Sequence, residues 1–208
     1  MEQRSPEWFA ARLGKVTASR IADVCAKTKT GWGAGRKNYM AELVAERLTG
    51  RNADSYSNAA MQWGTDMEPD ARTAYEFYRS VTVKEIGFVP HPRMADAGAS
   101  PDGLVGDDGL VEIKCPNTAS HLETLLGAAI PEKYLFQMQW QMACTGRQWC
   151  DFASYDPRLP EAMQLHIARV SRDDGLIRTL EMNVADFLAE LEQTVRRLRE
   201  QFETREAA

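Results

Sequence analysis

Asp102, Glu112 and Lys114 are the side chains of this 208-residue chain whose types and spacing can do chemistry together. Asp102 stands in Ser100-Pro101-Asp102-Gly103, a turn-forming sequence that presents a short carboxylate at a sharp bend. The run Leu110 to Cys115 is apolar with a polar residue at every second place after Val111, which predicts a strand. Side chains on a strand alternate between faces, so Glu112 and Lys114 share one face while Val111, Ile113 and Cys115 share the other. Two carboxylates and one ammonium then converge at one sheet edge, and the opposite face packs into the core.

That set suits metal-assisted phosphodiester hydrolysis. Mg²⁺ takes hard oxygen ligands, keeps several waters and is held by one or two carboxylates plus substrate phosphate. Such an ion activates water and neutralises charge on the leaving oxygen. A neighbouring lysine can orient the attacking water or stabilise charge on the phosphorane. Taken singly, each residue has a plainer reading, a turn aspartate or a strand salt bridge; the joint pattern favours the catalytic one.

The elements that position these residues follow from periodicity and punctuation. Ser5-Pro6-Glu7 predicts a helix start, with Ser as N-cap and Pro at the first helical position, running to about Leu13 and stopping at Gly14. Thr17 or Ser19 is expected to cap a second helix carrying Ile21, Ala22 and Cys25. Lys27 to Lys37 has four bases, three glycines, one Trp and no acid, and reads as a mobile loop. Lys29 and Trp32 in it are candidates for backbone contact and base stacking on DNA. Asn38 to Thr49 is an amphipathic helix with Met40, Leu43, Val44 and Leu48 on its core stripe and Gly50 as its stop, and 51–57 is a polar loop. Ala59 to Tyr78 is helical and is expected to break near Pro69, with Gly64 leaving room for a close approach one turn before Glu68. Strands are expected over Val81–Val89, Ala95–Ala99, Leu104–Val105, Leu110–Cys115, Trp149–Ser154 and Gln164–Val170. Helices are expected over Ser120–Leu126, Pro131–Ala143 and Leu180–Phe202. In Pro131–Ala143, Tyr134, Met138 and Met142 form a core stripe and Gln137 and Gln141 lie on its flank. The last helix carries Val184, Phe187, Leu188, Leu191, Val195, Leu198 and Phe202 as its stripe.

This order gives an α/β fold, a small mixed β-sheet flanked by helices, in a single domain over residues 1–208. Its catalytic core spans about 59–170 and its C-terminal helix about 180–202. An apolar fraction of 44% and five Trp suit one sizeable core. No apolar run reaches the ~20 residues that span a bilayer, and Met1 to Pro6 does not read as a signal peptide; the expectation is a cytoplasmic protein with no membrane partner. Four cysteines without a C-x-x-C pair and three scattered histidines argue against zinc and for buried free thiols. A net charge of −5 disfavours indiscriminate coating of nucleic acid, which rests on phosphate neutralisation, but leaves room for a focused basic groove.

Pro101-Asp102 with Glu112-Ile113-Lys114 resembles the signature of the PD-(D/E)xK nuclease superfamily. Three further stretches resemble its lambda-exonuclease and YqaJ-type viral recombinase family: Trp8 to Ser19, Trp63 to Glu68 followed by Asp70-Ala71-Arg72, and Tyr134 to Thr145 with Gln137. The similarity runs with gaps from about Trp8 to Arg158 through four ordered motifs. It implies a restriction-endonuclease-like core. It also implies a Mg²⁺-dependent 5′→3′ exonuclease, with Mn²⁺ as substitute ion, that degrades one strand of linear double-stranded DNA and leaves 3′ overhangs. By the same resemblance Glu68 and the Ile113 backbone carbonyl join Asp102 and Glu112 on the metal, and Gln137 enters the active centre. Arg12 and Ser19 engage the 5′-terminal phosphate. The expected partners are DNA ends, two further copies in a ring-shaped homotrimer, and a single-strand annealing protein, in a phage- or prophage-encoded system of the bacterial cytoplasm. A restriction-like or repair endonuclease on the same core, or a non-catalytic DNA-end-binding module, is the alternative.

Overall fold

The computed structural model describes residues 2–52 and 59–203. Helix α1 (Pro6–Arg12) begins as expected, with the Ser5 hydroxyl accepting from the Trp8 amide and Gly14 leaving at φ 68°. The second helix is shorter than its sequence suggests. Val16–Thr17 forms a strand, β1, before a 3₁₀ turn over Ala18–Arg20 and a four-residue α2 (Ile21–Val24). Neither Thr17 nor Ser19 caps it through a side chain, because the backbone here is committed to a parallel ladder with Ala97 and Gly98.

Lys27–Lys37 is not a loop. Lys27–Thr28 (β2) and Gly31–Trp32 (β3) pair as a small hairpin, and α3 (Ala34–Thr49) starts directly after it. Trp32 is half-buried, with the Arg36 guanidinium 3.8 Å and the Lys27 ammonium 4.9 Å from its ring centre. Gly50 closes α3 in the left-handed conformation. Tyr39, Leu43 and Val44 are buried, whereas Leu48, expected on the core stripe, is exposed.

Most of the polar stretch at 51–57 lies outside the described residues. Helix α4 (Ala59–Arg79) is continuous through Pro69, contrary to the expected break. Pro69 lies on the exposed face, where water can take up the carbonyl freed by its missing N–H. A Cβ at Gly64 would meet no atom of another element within 4 Å among the described residues, so no close approach depends on this glycine there.

The expected strand over Val81–Val89 is two pieces, β4 (Val83–Lys84) and β5 (Val89–His91), separated where the chain leaves the sheet. The remaining elements are β6 (Met94–Ala99), β7 (Gly103–Val105), β8 (Gly109–Lys114), α5 (Thr118–Leu125), α6 (Glu132–Thr145), β9 (Trp149–Tyr155), β10 (Leu165–Ser171) and α7 (Asp174–Phe202). The Asp173 carboxylate caps α7 by accepting from the Gly175 and Leu176 amides, which starts that helix earlier than its apolar stripe does. Phe202, at its far end, is exposed.

A five-stranded mixed sheet has the order β10-β9-β8-β7-β4, with β8 and β9 parallel and the other pairs antiparallel. A second sheet, β1-β6-β5, lies beside the N-terminal helices. Strand β8 is covered on both faces. Ala71 and Tyr75 of α4 pack with Val111, Ile113 and Cys115, while Met138 and Met142 of α6 pack with Leu110 and Phe152. A larger cluster joins α2, α3 and α7 around Tyr39, Trp140, Phe187 and Leu191.

Candidate active site

The β7–β8 hairpin sets the first three residues. Asp102 sits at the bend entering β7, and Gly103 follows it because a Cβ there would lie 2.0 Å from Val83 Cγ1. Pairing of Gly103 with Val111 brings the Asp102 carboxylate to β8, where Oδ2 accepts from the Ile113 amide at 2.7 Å. Glu112 and Lys114 share a face, as the alternation predicts, but that face is closed over by α6 rather than open. Glu112 is wholly buried.

Three donors hold it. Gln137 Nε2 and Lys114 Nζ reach Oε1 at 2.6 and 2.5 Å, and Gln141 Nε2 reaches Oε2 at 2.5 Å. Gln137 and Gln141 are one turn apart on α6, so both amides point at the same strand position. Gln137, which the resemblance would put in the active centre, has its amide on Glu112. Gln141 was not selected from the sequence; the one signal for it is its i+4 spacing from Gln137 on a face otherwise made of apolar residues. Lys114 also stands 5.1 Å over the Tyr134 ring.

The charges do not balance. Burial, and then repulsion from Glu112, push the Asp102 carboxyl well above its ordinary pKa. Burial works against the Lys114 ammonium, but Glu112 and Asp102 outweigh it and raise its pKa. Two carboxylates thus face one ammonium, and Asp102 Oδ1 accepts no hydrogen bond among the described residues. This oxygen-rich set, two carboxyls to one ammonium, fits a hard divalent cation.

Glu68 is close enough to add to the upward push on Asp102. Its own oxygens, however, pair with Arg4 at 2.7 Å and Arg72 at 2.9 Å. Among the described residues no three His, Cys, Asp or Glu side chains converge as a ligand cluster, so this geometry does not gather Glu68 with Asp102 and Glu112 around one point. Three of the four cysteines are buried free thiols and Cys25 is half-buried.

Arg12 and Ser19 do come together. Both line a cleft of about 730 Å³ with Trp8, Lys15, Arg20 and Tyr39. Arg12 lies 4.0 Å over the Trp8 ring and donates to Ser100 Oγ at 3.4 Å, two residues from Asp102, so the cleft adjoins the carboxylates. Burial lowers the Arg12 pKa, and its guanidinium makes no ion pair with a carboxylate among the described residues. Arg20 in the same cleft is bound by Asp23 and Glu42 at 2.6 and 2.8 Å. Lys15 is a second cleft cation that the motif reading passed over. Lys29, at the exposed tip of the β2–β3 hairpin, and Trp32 do not line this cleft.

The model of the YqaJ-like viral recombinase domain matches residues 7–148. The chain belongs to that family. No match was found among curated proteins. The structure of LHK-Exo in complex with dAMP is 56% identical, with a TM-score of 0.90 over 96% of this chain and 99% of that one. LHK-Exo, an alkaline exonuclease from Laribacter hongkongensis, in a second structure is 55% identical with a TM-score of 0.89 over the same shares. A phage-related exonuclease from Haemophilus somnus, 18% identical with a TM-score of 0.73 over 88% of this chain and 96% of that one, shares the fold. No helix of this YqaJ-family chain is long and apolar enough to cross a membrane among the described residues.

Proposed function

We propose that this YqaJ-family chain is a Mg²⁺-dependent 5′→3′ exonuclease that degrades one strand of linear double-stranded DNA and leaves 3′ single-stranded overhangs for recombination. The observation that carries this reading is the buried Glu112 carboxylate, fixed by three donors beside Asp102 and Lys114. The most identical relative described above is an alkaline exonuclease whose structure holds dAMP, a deoxynucleoside monophosphate of the kind stepwise DNA hydrolysis releases.

Asp102, Glu112 and the Ile113 carbonyl would hold the Mg²⁺, or Mn²⁺ in its place, with Glu68 joining them by turning from its arginine partners; when bound the ion supplies an activated water and neutralises the leaving oxygen. Lys114 presents its ammonium on the face shared with Glu112, where it orients the attacking water or takes up phosphorane charge. Gln137 is partly exposed and Gln141 is buried, so Gln137 is the amide able to turn toward a water or phosphate oxygen. Arg12 and Ser19 seat the 5′-terminal phosphate in the adjoining cleft, Arg12 through a charge-assisted contact. Lys29 and Trp32 would meet DNA farther out. A ring-shaped homotrimer around DNA would reconcile the acidic total charge with DNA binding, since basic side chains need only line its hole. A single-strand annealing protein in the cytoplasm of a phage- or prophage-bearing bacterium completes the system.

The test uses linear duplex labelled at the 5′ or the 3′ end beside covalently closed circles. Release of 5′-labelled mononucleotides from linear duplex, with circles intact, is expected. Cutting of circles would assign a restriction-like or repair endonuclease instead, and binding without cleavage in Mg²⁺ or Mn²⁺ would assign an end-binding module.

A further inference from the structure

The segment ahead of α1 reaches the carboxylate centre from outside the core motifs. The Gln3 side-chain amide donates to the Pro101 carbonyl at 2.8 Å and to the Ile86 carbonyl at 2.9 Å, 98 and 83 residues away in sequence. The next residue, Arg4, holds a left-handed φ of 67°, which a non-glycine residue adopts at a cost. Its guanidinium pairs with Glu68 Oε2. Farther on, the Trp8 indole N–H donates to Ser100 Oγ at 2.9 Å. Ser100 to Asp102 belong to no strand, so no ladder fixes this link between β6 and β7. Among the described residues its supports are Gln3, Trp8 and Arg12 on one side and the contact of Asp102 with Ile113 on the other.

We propose that Gln3 and Arg4 form a positioning strap for the carboxylate centre, Gln3 setting the Pro101-Asp102 bend and Arg4 holding Glu68; this rests on the exonuclease reading above. A primary amide has two N–H donors on one nitrogen, so one side chain can pin the Asp102 bend to the Ile86 segment. Both carbonyls lie outside the β ladders and gain a partner from it. At this left-handed residue the guanidinium reaches across to Glu68 of α4. The strap thereby ties together the two backbone segments that carry Asp102 and Glu68, which no sheet pairing joins.

The test compares the full chain with Gln3→Ala, Gln3→Glu and Gln3→Arg. It measures single-turnover rate at saturating linear duplex and Mg²⁺, DNA affinity in Ca²⁺, Mn²⁺ binding by calorimetry, and melting temperature. Misplacing a reacting group by about 1 Å costs about 10²-fold in rate. Gln3→Ala and Gln3→Glu should therefore lose at least about tenfold in rate and bind Mn²⁺ more weakly, with DNA affinity held. Gln3→Arg keeps N–H donors for both carbonyls and should recover most of the rate. Rates and Mn²⁺ affinities within about twofold of wild type, or losses that track melting temperature alone, would overturn the strap. Arg4→Ala, with its side chain half exposed, covers the case in which the Gln3 variants fail to fold. A several-fold loss of Mn²⁺ affinity that disappears in a Glu68→Gln background supports the strap, and an equal loss of affinity in both backgrounds overturns it. If the wild type hydrolyses no DNA with either ion, the exonuclease reading fails. The Mn²⁺ titration then still decides the strap, since unchanged binding in Gln3→Ala contradicts it and weaker binding supports it.

Discussion

Glu112 and Asp151 are both wholly buried carboxylates on neighbouring strands of one sheet, yet their surroundings differ in kind. Asp151 faces α4 and is met by the Tyr75 hydroxyl at 2.9 Å, by Arg79 at 2.9 Å and by Arg169 through two bonds of 2.7 and 2.9 Å. Burial raises its pKa, but the Arg169 and Tyr75 hydrogen bonds outweigh that and leave it lowered. Glu112 faces α6 and is met by two neutral amides and one ammonium, with a second carboxylate beside it. One carboxylate is over-compensated and belongs to the framework. The other belongs to a set of two carboxyls and one ammonium, an oxygen-rich grouping that suits a hard cation.

Substitution separates the two most sharply. Glu112→Gln or Asp102→Asn should abolish hydrolysis while DNA-end binding persists, because repulsion with phosphate falls. Asp151→Asn should instead cost about 1.5–3 kcal/mol of stability, the range for hydrogen bonds to charged groups, with the rate per folded molecule kept. Denaturant titration beside single-turnover rates checks both. A catalytic defect in Asp151→Asn at full stability would erase the distinction.

The same contrast holds among the cleft cations. Arg20 is neutralised by Asp23 and Glu42, whereas among the described residues the Arg12 guanidinium meets Trp8 and Ser100 and no carboxylate. Arg12→Ala should lower the preference for 5′-phosphorylated over 5′-hydroxyl ends by about ten- to a hundred-fold, since a charge-assisted Arg contact is worth roughly 1.5–3 kcal/mol. Competition between the two end types measures it, and Arg20→Ala should leave that ratio unchanged.

Gln141→Leu sharpens the account of Glu112. Loss of one hydrogen bond to that carboxylate should lower the single-turnover rate about tenfold with DNA affinity unaltered. Gln137→Leu should cost more if its amide also meets the reacting groups. Equal rates for wild type and Gln141→Leu would mean that Gln137 and Lys114 suffice.

The smallest effect is a pH dependence of stability. The folded pKa of Asp151 is lowered, so its contribution is full above the unfolded value near 4 and is lost as pH falls toward the folded value. The stability gap between wild type and Asp151→Asn should therefore narrow below about pH 4, read from melting curves between pH 7 and 3. A gap that is constant across that range would show that Asp151 acts through packing alone.

The shared face of Glu112 and Lys114 was legible because a strand has a strict two-residue period and the polar residues obey it, and Asp102 because Pro-Asp-Gly marks a bend. The covering of that face by α6 was not, since Gln141 sits among Met138, Met142 and Cys144 where the pattern reads as plain core. The break expected at Pro69 failed because its position on the solvent face makes the missing N–H cheap. The Lys27–Trp32 hairpin was hidden by a glycine-rich, basic composition. Gln3 and Arg4 could not be read at all, because their partners lie 64 to 98 residues away and no local spacing announces such contacts.

The most direct test of the central claim is Lys114→Ala, assayed for single-turnover cleavage at saturating linear duplex and Mg²⁺ alongside DNA affinity in Ca²⁺. Lys114 contacts Glu112 and shares its face, so its interaction with the reacting phosphate should strengthen as the transition state forms. Removing such a contact lowers the rate constant with little change in affinity, by about 10²–10³-fold. A wild-type rate with weakened DNA affinity would make Lys114 a phosphate-binding charge only, and would contradict a catalytic centre built on Asp102, Glu112 and Lys114.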